Sequence, residues 1–368
     1  MPAESTPDAL AHPDRQRAWL DVDLGALARN FAAVRARAGV PLLPMVKADA
    51  YGLGVAPVAR ALEPLAPWGY GVASVDEGEA LRAAGVARPV VVLTPLLRGQ
   101  LARARAAALT PALHRVDDVR AWAALGGGAW HLGIDTGMAR AGVRWDALDD
   151  GLLAAVAAHP PEGAFTHFHS ADTDHASRAE QEARFRAAVA RLPARPPLLH
   201  AENSPGVERA GGTSAWDLAR PGVFLYGVSA GAVLPDEPVA HLRARVVDVR
   251  ELRDGETVSY GATWTARGAR RIATVPAGYA DGYRRALSNT GHALLAGRTV
   301  PVAGRVTMDM TMLDVTGVPC EVGDAVTLLG RDGDAVLTAA DVAEAGGLSP
   351  YELLTGLRGR VPRLYQDA

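Results

Sequence analysis

Several classes of protein are excluded by what this sequence lacks. A single cysteine, Cys320, stands in 368 residues. It can form neither an internal disulfide framework nor a cysteine metal cluster, and the count suits a reducing, cytoplasmic setting. No block of like charge stands out and the formal net charge is only -3, so neither nucleic acid nor an anionic membrane surface is an expected partner. The N-terminal stretch Met1 to Arg15 has no basic start and no apolar run, so it is read as neither a signal peptide nor an anchor, and residues 1–16 as a flexible tail. No glycine-rich dinucleotide fingerprint follows any early strand. What remains is a chain with 49% hydrophobic and 21% charged residues, ordinary for a soluble globular protein and long enough for two cores. A small-molecule function is the natural expectation.

From Pro41 to about Val223, short apolar runs alternate with helical stretches, the rhythm of repeated βα units around a parallel sheet. Eight strands are predicted: Leu42 to Val46, Gly69 to Ser74, Val90 to Thr94, Leu109 to His114, Trp130 to Asp135, Ala164 to Phe168, Leu198 to Ala201 and Leu218 to Phe224. Helices are predicted at Glu77 to Ala84, stopped by Gly85, and at Arg178 to Arg191, stopped near Pro193. Ahead of the first strand, Leu24, Leu27, Phe31 and Val34 recur at helical spacing behind the candidate N-cap Asp23. Eight such units imply a TIM-type (β/α)8 barrel over residues 17–228, with the first residues able to pair with a second domain. After about Ser229 the pattern changes to short β-prone runs (Ala244 to Val249, Thr257 to Tyr260, Arg271 to Val275, Ala325 to Leu329), so residues 229–368 are read as a mainly β C-terminal domain.

A βα barrel carries its reactive groups where strands end and loops begin. Lys47 follows the first predicted strand, Asp135 ends the fifth, His167 ends the sixth, Asn203 and Ser204 follow the seventh, and Arg220 lies on the eighth. Fold topology would gather them on one rim. An amine at the end of an apolar strand is desolvated, which favours its neutral, nucleophilic form; a snorkelling surface lysine is the plainer alternative. Behind Lys47, the turn from Ala48 to Gly54 carries two glycines and Tyr51, placed to reach a phosphate. Taken alone, Ser204 reads as a helix N-cap and His167 as a core histidine.

Val46-Lys47-Ala48-Asp49-Ala50-Tyr51-Gly52-Leu53-Gly54 resembles the cofactor-attachment motif of the alanine racemases. So do Ile134-Asp135-Thr136-Gly137-Met138-Ala139-Arg140, Phe165-Thr166-His167-Phe168, Asn203-Ser204 and Arg220-Pro221-Gly222. In the second domain Val258-Ser259-Tyr260-Gly261-Ala262, Gly278-Tyr279-Ala280-Asp281-Gly282 and Gly304-Arg305-Val306-Thr307-Met308-Asp309 continue the match, in order, along nearly the whole chain. The resemblance implies a pyridoxal 5'-phosphate (PLP) enzyme that interconverts L- and D-alanine and supplies D-alanine for peptidoglycan. Lys47 would hold PLP as a Schiff base and move a proton on one face of Cα, while Tyr260 of a second subunit serves the other face, so that a homodimer shares its sites. The phosphate would be held by Tyr51, Ser204, Tyr351 and the backbone amides of Gly222 and Val223, with Asn203 nearby. Arg220 would face the pyridine nitrogen, beside His167. Arg140 and Met308 would take the substrate carboxylate, and Tyr279 would line the entry.

Members of that family often carry a carbamylated lysine two residues before the aspartate of the fifth-strand motif, where it orients the substrate-binding arginine. Here the position is Gly133, which has no side chain to modify. The expectation is that an anion, a water or another carboxylate positions Arg140 instead. Met310 and Thr307 also depart from the commoner residues. A broader or serine-type racemase of the same family is the nearest alternative function.

Overall fold

Asp23 opens the first helix, Leu24–Ala38, by accepting a hydrogen bond from the Ala26 N–H through its carboxylate at 2.7 Å, and Gly39 closes the helix at a φ of 65°. That N-cap and the buried face of Leu27, Phe31 and Val34 are as the sequence predicts. The structure, a computed structural model, describes residues 16–366 except 174, 211 and 230–233. All but the last residue of the expected tail therefore lie outside the described residues.

Six parallel strands follow one another as neighbours: Tyr70–Val72, Val90–Val92, Thr110–Leu113, His131–Asp135, Gly163–Phe165 and Leu198–His200. The two expected outer strands are reduced to single bridges, Leu42 with Ala219 and Met45 with Gly71. Pro41, Pro44 and Pro221 have no N–H to donate, which interrupts the ladder at these staves. The ring still closes, because the N–H groups of Leu43, Met45 and Val46 donate to the carbonyls of Ala219, Pro221 and Gly71 at 2.8, 2.8 and 2.9 Å. The last predicted strand does not run to Phe224; it gives way to a 3-10 turn, Val223–Tyr226. The predicted helices are present as Val75–Ala83 and His175–Ala190.

The strand Ala18–Asp23 belongs to the other sheet. It pairs antiparallel with Ala240–Arg245 and parallel with Arg363–Gln366, so both ends of the described chain are stitched into the C-terminal β layer. The single strand expected over Ala244 to Val249 is two, Ala240–Arg245 and Asp248–Leu252, in different sheets. The strand expected over Thr257 to Tyr260 stops at Val258, because Ser259 turns the chain with a φ of 65°. One continuous apolar cluster joins the two regions, running from Leu20 and Phe31 through Tyr226 to Leu353 and Leu354. These last two leucines anchor the short helix Pro350–Thr355, which carries Tyr351 to the mouth of the barrel. Among the described residues no helix is long and apolar enough to cross a membrane.

Candidate active site

The C-terminal ends of the barrel strands open on a cavity of about 630 Å³. Lys47, Tyr51, Asp135, Arg140, His167, Asn203, Ser204, Arg220, Gly222, Val223 and Tyr351 all line it, so the fold gathers the barrel-side candidates on one rim. Lys47 is also the chain's only lysine among 38 Lys and Arg residues, a signal that counting alone would have given. Although its amine opens on the cavity, surrounding protein desolvates it and lowers its pKa. Arg140 and Arg220 act in the same direction, while Glu77 opposes them.

Local backbone geometry aims this lysine. Ala48, Asp49, Ala50 and Tyr51 all have φ between 53° and 55°, forming a left-handed turn of four non-glycine residues. Such a conformation costs roughly 1–2 kcal/mol per residue, so it persists only where neighbours hold it. Glu77 is one holder: its two carboxylate oxygens accept from the Ala48 N–H at 2.8 Å and the Ala73 N–H at 2.7 Å. Asp49 accepts from the Val55 N–H at 2.7 Å. Sequence reading missed Glu77 as a site residue. The Ser74-x-x-Glu77 pattern marks a helix start, which is in keeping with the bond from Ala73 but carries no sign of the one from Ala48 in the lysine turn.

At one end of the cavity the groups are neutral. Ser204 is not the N-cap expected of it; Asn203 is, accepting from the Gly206 N–H at 3.0 Å. That frees the Ser204 hydroxyl to accept from the N–H groups of Gly222 and Phe224 at 2.9 and 3.3 Å. Tyr51 stacks on Tyr226 with ring centroids 4.6 Å apart and leans toward Tyr351. A Cβ on Gly222 would sit 2.5 Å from the Tyr51 hydroxyl oxygen, so glycine leaves room for a group to approach both. Hydroxyls and peptide N–H groups around a space kept free of side chains suit a phosphate without a cation clamp.

The cavity also has a buried cation in its lining. Arg220, only 3% exposed, donates to the carbonyls of Thr166 and Ala201 at 2.8 and 3.0 Å and to His200 Nδ1 at 2.8 Å. His167 Nδ1 lies 3.5 Å from the same guanidinium. The Arg220 Nε has no hydrogen-bond partner among the described residues and keeps its N–H free to donate. Burial lowers the Arg220 pKa to about 9, with Glu202 pulling the other way. Burial and the charges of Arg220, Arg140 and Lys47 push His167 down to about 3, so it is neutral.

The gap at Gly133 is filled by protein. A Cβ there would run into the imidazole of His114, whose ring nitrogens are both buried without a hydrogen-bond partner. Among the described residues no carboxylate pairs with Arg140, so the expected carboxylate substitute does not appear there. His114 had no motif around it to betray it.

Tyr260, Tyr279 and Met308 do not line this cavity. They are exposed, at 72%, 38% and 52%, and belong to neighbouring loops of the β region. The Tyr279 and Ala280 N–H groups donate to the carbonyls of Thr307 and Met308, and the Ser259 hydroxyl donates to the Arg305 carbonyl at 2.7 Å. The chain thus holds two separated clusters of candidates.

Comparison with known proteins covers both the barrel and the β region. Residues 22–230 match the alanine racemase N-terminal domain and residues 239–365 the alanine racemase C-terminal domain. The chain belongs to the alanine racemase family. An alanine racemase of Geobacter sp. (strain M21) is 39% identical, over 96% of this chain and 99% of its own. The solved alanine racemase of Streptomyces coelicolor A3(2) is 33% identical and superposes with a TM-score of 0.88, covering 98% of this chain and 99% of its own. That of Bartonella henselae, 26% identical with a TM-score of 0.85 over 95% and 100%, carries covalently bound pyridoxal phosphate. The (β/α)8 barrel followed by a mainly β region is the architecture of this alanine racemase family.

Proposed function

We propose that the protein interconverts L- and D-alanine with PLP bound through Lys47. The observation that carries this reading is the position of the chain's only lysine. It lines one cavity together with Tyr51, Ser204, Tyr351 and the buried Arg220. When bound, PLP supplies an electron sink for the carbanion at Cα. Tyr51, Ser204, Tyr351 and the N–H groups of Gly222 and Val223 would hold its phosphate, with Asn203 beside them. Arg220 would hold the ring nitrogen by donating to it; because guanidinium does not release its proton readily, the sink would be moderate and side reactions such as transamination disfavoured.

Proton removal and return on one face would regenerate the same enantiomer, so a second base is required. Lys47 takes one face and Tyr260 the other. Tyr260 lies outside the cavity of its own chain, and it shares an exposed face with Tyr279 and Met308. This supports a homodimer in which the β unit, residues 229–368, of one subunit completes the barrel, residues 17–228, of its partner. Arg140 binds the alanine carboxylate, with Met308 of the partner subunit against it and Tyr279 of the partner subunit at the entry. The setting is cytoplasmic and the product D-alanine serves peptidoglycan.

The single lysine gives a direct test. A lysine-specific protease cuts the unfolded chain once, after Lys47. Borohydride reduction of the protein with PLP should add the cofactor mass and abolish that cut. An unmodified Lys47, or no exchange of the Cα hydrogen of alanine, overturns the reading; faster exchange of serine than alanine would assign a serine-type racemase.

A further inference from the structure

Behind Arg220 runs a line of side chains for which the reaction above has no use. His200 Nδ1 lies 2.8 Å from Arg220 Nη1, His200 Nε2 lies 2.8 Å from His131 Nδ1, and His131 Nε2 lies 3.5 Å from a carboxylate oxygen of Glu162. Both imidazoles are fully buried. His131 begins one barrel strand and Glu162 immediately precedes the next, whereas Arg220 stands at the catalytic rim, so the line crosses the barrel interior from one end to the other.

Proton counting gives it a single direction. Guanidinium only donates, so His200 Nδ1 must accept and a neutral His200 carries its proton on Nε2. That proton can go only to His131 Nδ1, which leaves the His131 proton on Nε2, facing Glu162. His131 Nε2 makes no full hydrogen bond; the Glu162 carboxylate, 3.5 Å away, faces it, and an ionised carboxylate only accepts. Burial lowers the pKa of both histidines, favouring the neutral forms this count assumes.

The surrounding strand is shaped to the line. A Cβ on Gly163 would come within 2.9 Å of the His131 ring, so glycine makes its space. Phe165 stacks on His200 with centroids 5.2 Å apart and lies 5.5 Å beneath the Arg220 guanidinium.

We propose that Glu162 and His131 are positioning residues that lock the tautomer of His200 and thereby the guanidinium plane of Arg220, through a one-way donor-to-acceptor relay across the barrel. With the opposite tautomer, His200 would point an N–H at the Arg220 N–H and push the guanidinium off its carbonyl acceptors. The effect on catalysis rests on the PLP reading above; the tautomers do not.

Neutron crystallography of the deuterated holoenzyme should find deuterium on Nε2 of both His131 and His200, and deuterium on Nδ1 of either overturns the relay. In solution, Glu162→Ala should lower kcat about three- to tenfold, with KM changed less than about twofold, and shift the visible absorption band of the bound cofactor. Glu162→Gln, which keeps an acceptor, should restore most of both. His131→Phe should match Glu162→Ala or exceed it. Equal losses in Glu162→Gln and Glu162→Ala, or wild-type spectra and kcat in Glu162→Ala, overturn the proposal. A wild-type protein that binds no cofactor refutes the functional reading instead, and leaves the neutron result to decide the relay.

Discussion

Replacing Gly133 by alanine sets two opposing effects against each other. Gly133 sits inside the strand His131–Asp135 and is not among the glycines with positive φ. Its backbone accepts a side chain, and glycine to alanine at such a site ordinarily stabilises by about 0.4–1 kcal/mol through the unfolded chain. Against this, the new Cβ would occupy the space of the His114 imidazole, with Phe165 behind it at 3.3 Å. Overpacking of this kind costs about 1–3 kcal/mol. Steric conflict should win, leaving Gly133→Ala less stable by roughly 1–2 kcal/mol. His114→Ala removes the obstacle, so the double variant should recover most of the loss, and a double-mutant cycle in urea should return a coupling of about 1–2 kcal/mol. Gly133→Lys should behave likewise, tolerated only beside a small residue at 114. A single Gly133→Ala variant as stable as the parent, or additive losses, would refute the idea that His114 occupies the missing side chain's place.

Three further outcomes are expected. Lys47→Ala and Tyr260→Phe homodimers should each be nearly inactive, whereas their co-expressed mixture should regain about a quarter of parental activity, since one site of each mixed dimer keeps both bases; racemisation assays showing no recovery would contradict shared sites. Glu77→Ala should slow Schiff-base formation at Lys47 and lower the midpoint of urea unfolding, while Glu77→Gln, which accepts only one of the two backbone bonds, should fall between. Finally, His167 is held at about 3 by burial and nearby cations, below the ordinary value near 6.5 of an unfolded chain. Below pH 6.5 the unfolded state binds the extra proton, so the stability this group contributes is present above that pH and is lost as pH falls toward 3. His131 and His200 add to the same slope; His167→Asn should flatten it in urea titrations across that range.

The fold and the barrel side of the site were legible for different reasons. Strand and helix positions followed from periodicity, because strands such as Val90–Val92 are apolar on both faces and each helix has its own stop. Lys47, His167 and Arg220 were found because a barrel presents residues at strand ends. Glu162 and His131 were not, since they sit at the opposite ends of their strands, where chemistry is not expected. His114 escaped for another reason: its position matters only through the absence of a side chain at Gly133. The proline staves were overcalled as strands because apolar composition says nothing about missing N–H donors.

The strained turn behind Lys47 shows why the attachment motif has to be read as backbone. Four successive left-handed residues together forgo roughly 4–8 kcal/mol, a cost comparable with the stability of a whole domain. Lys47 and Tyr51, four positions apart at the two ends of this turn, both line the cavity. Gly52, with a φ of 85°, ends the turn against the Leu354 carbonyl, where a Cβ would come within 2.9 Å. Leu354 belongs to the short helix that also presents Tyr351. The turn that aims the amine and the helix that supplies the far side of the cradle are therefore packed against one another. Any relaxation of the left-handed segment would displace both ends of the site at once, so the strain is retained as the means by which the amine and the phosphate cradle keep a fixed separation.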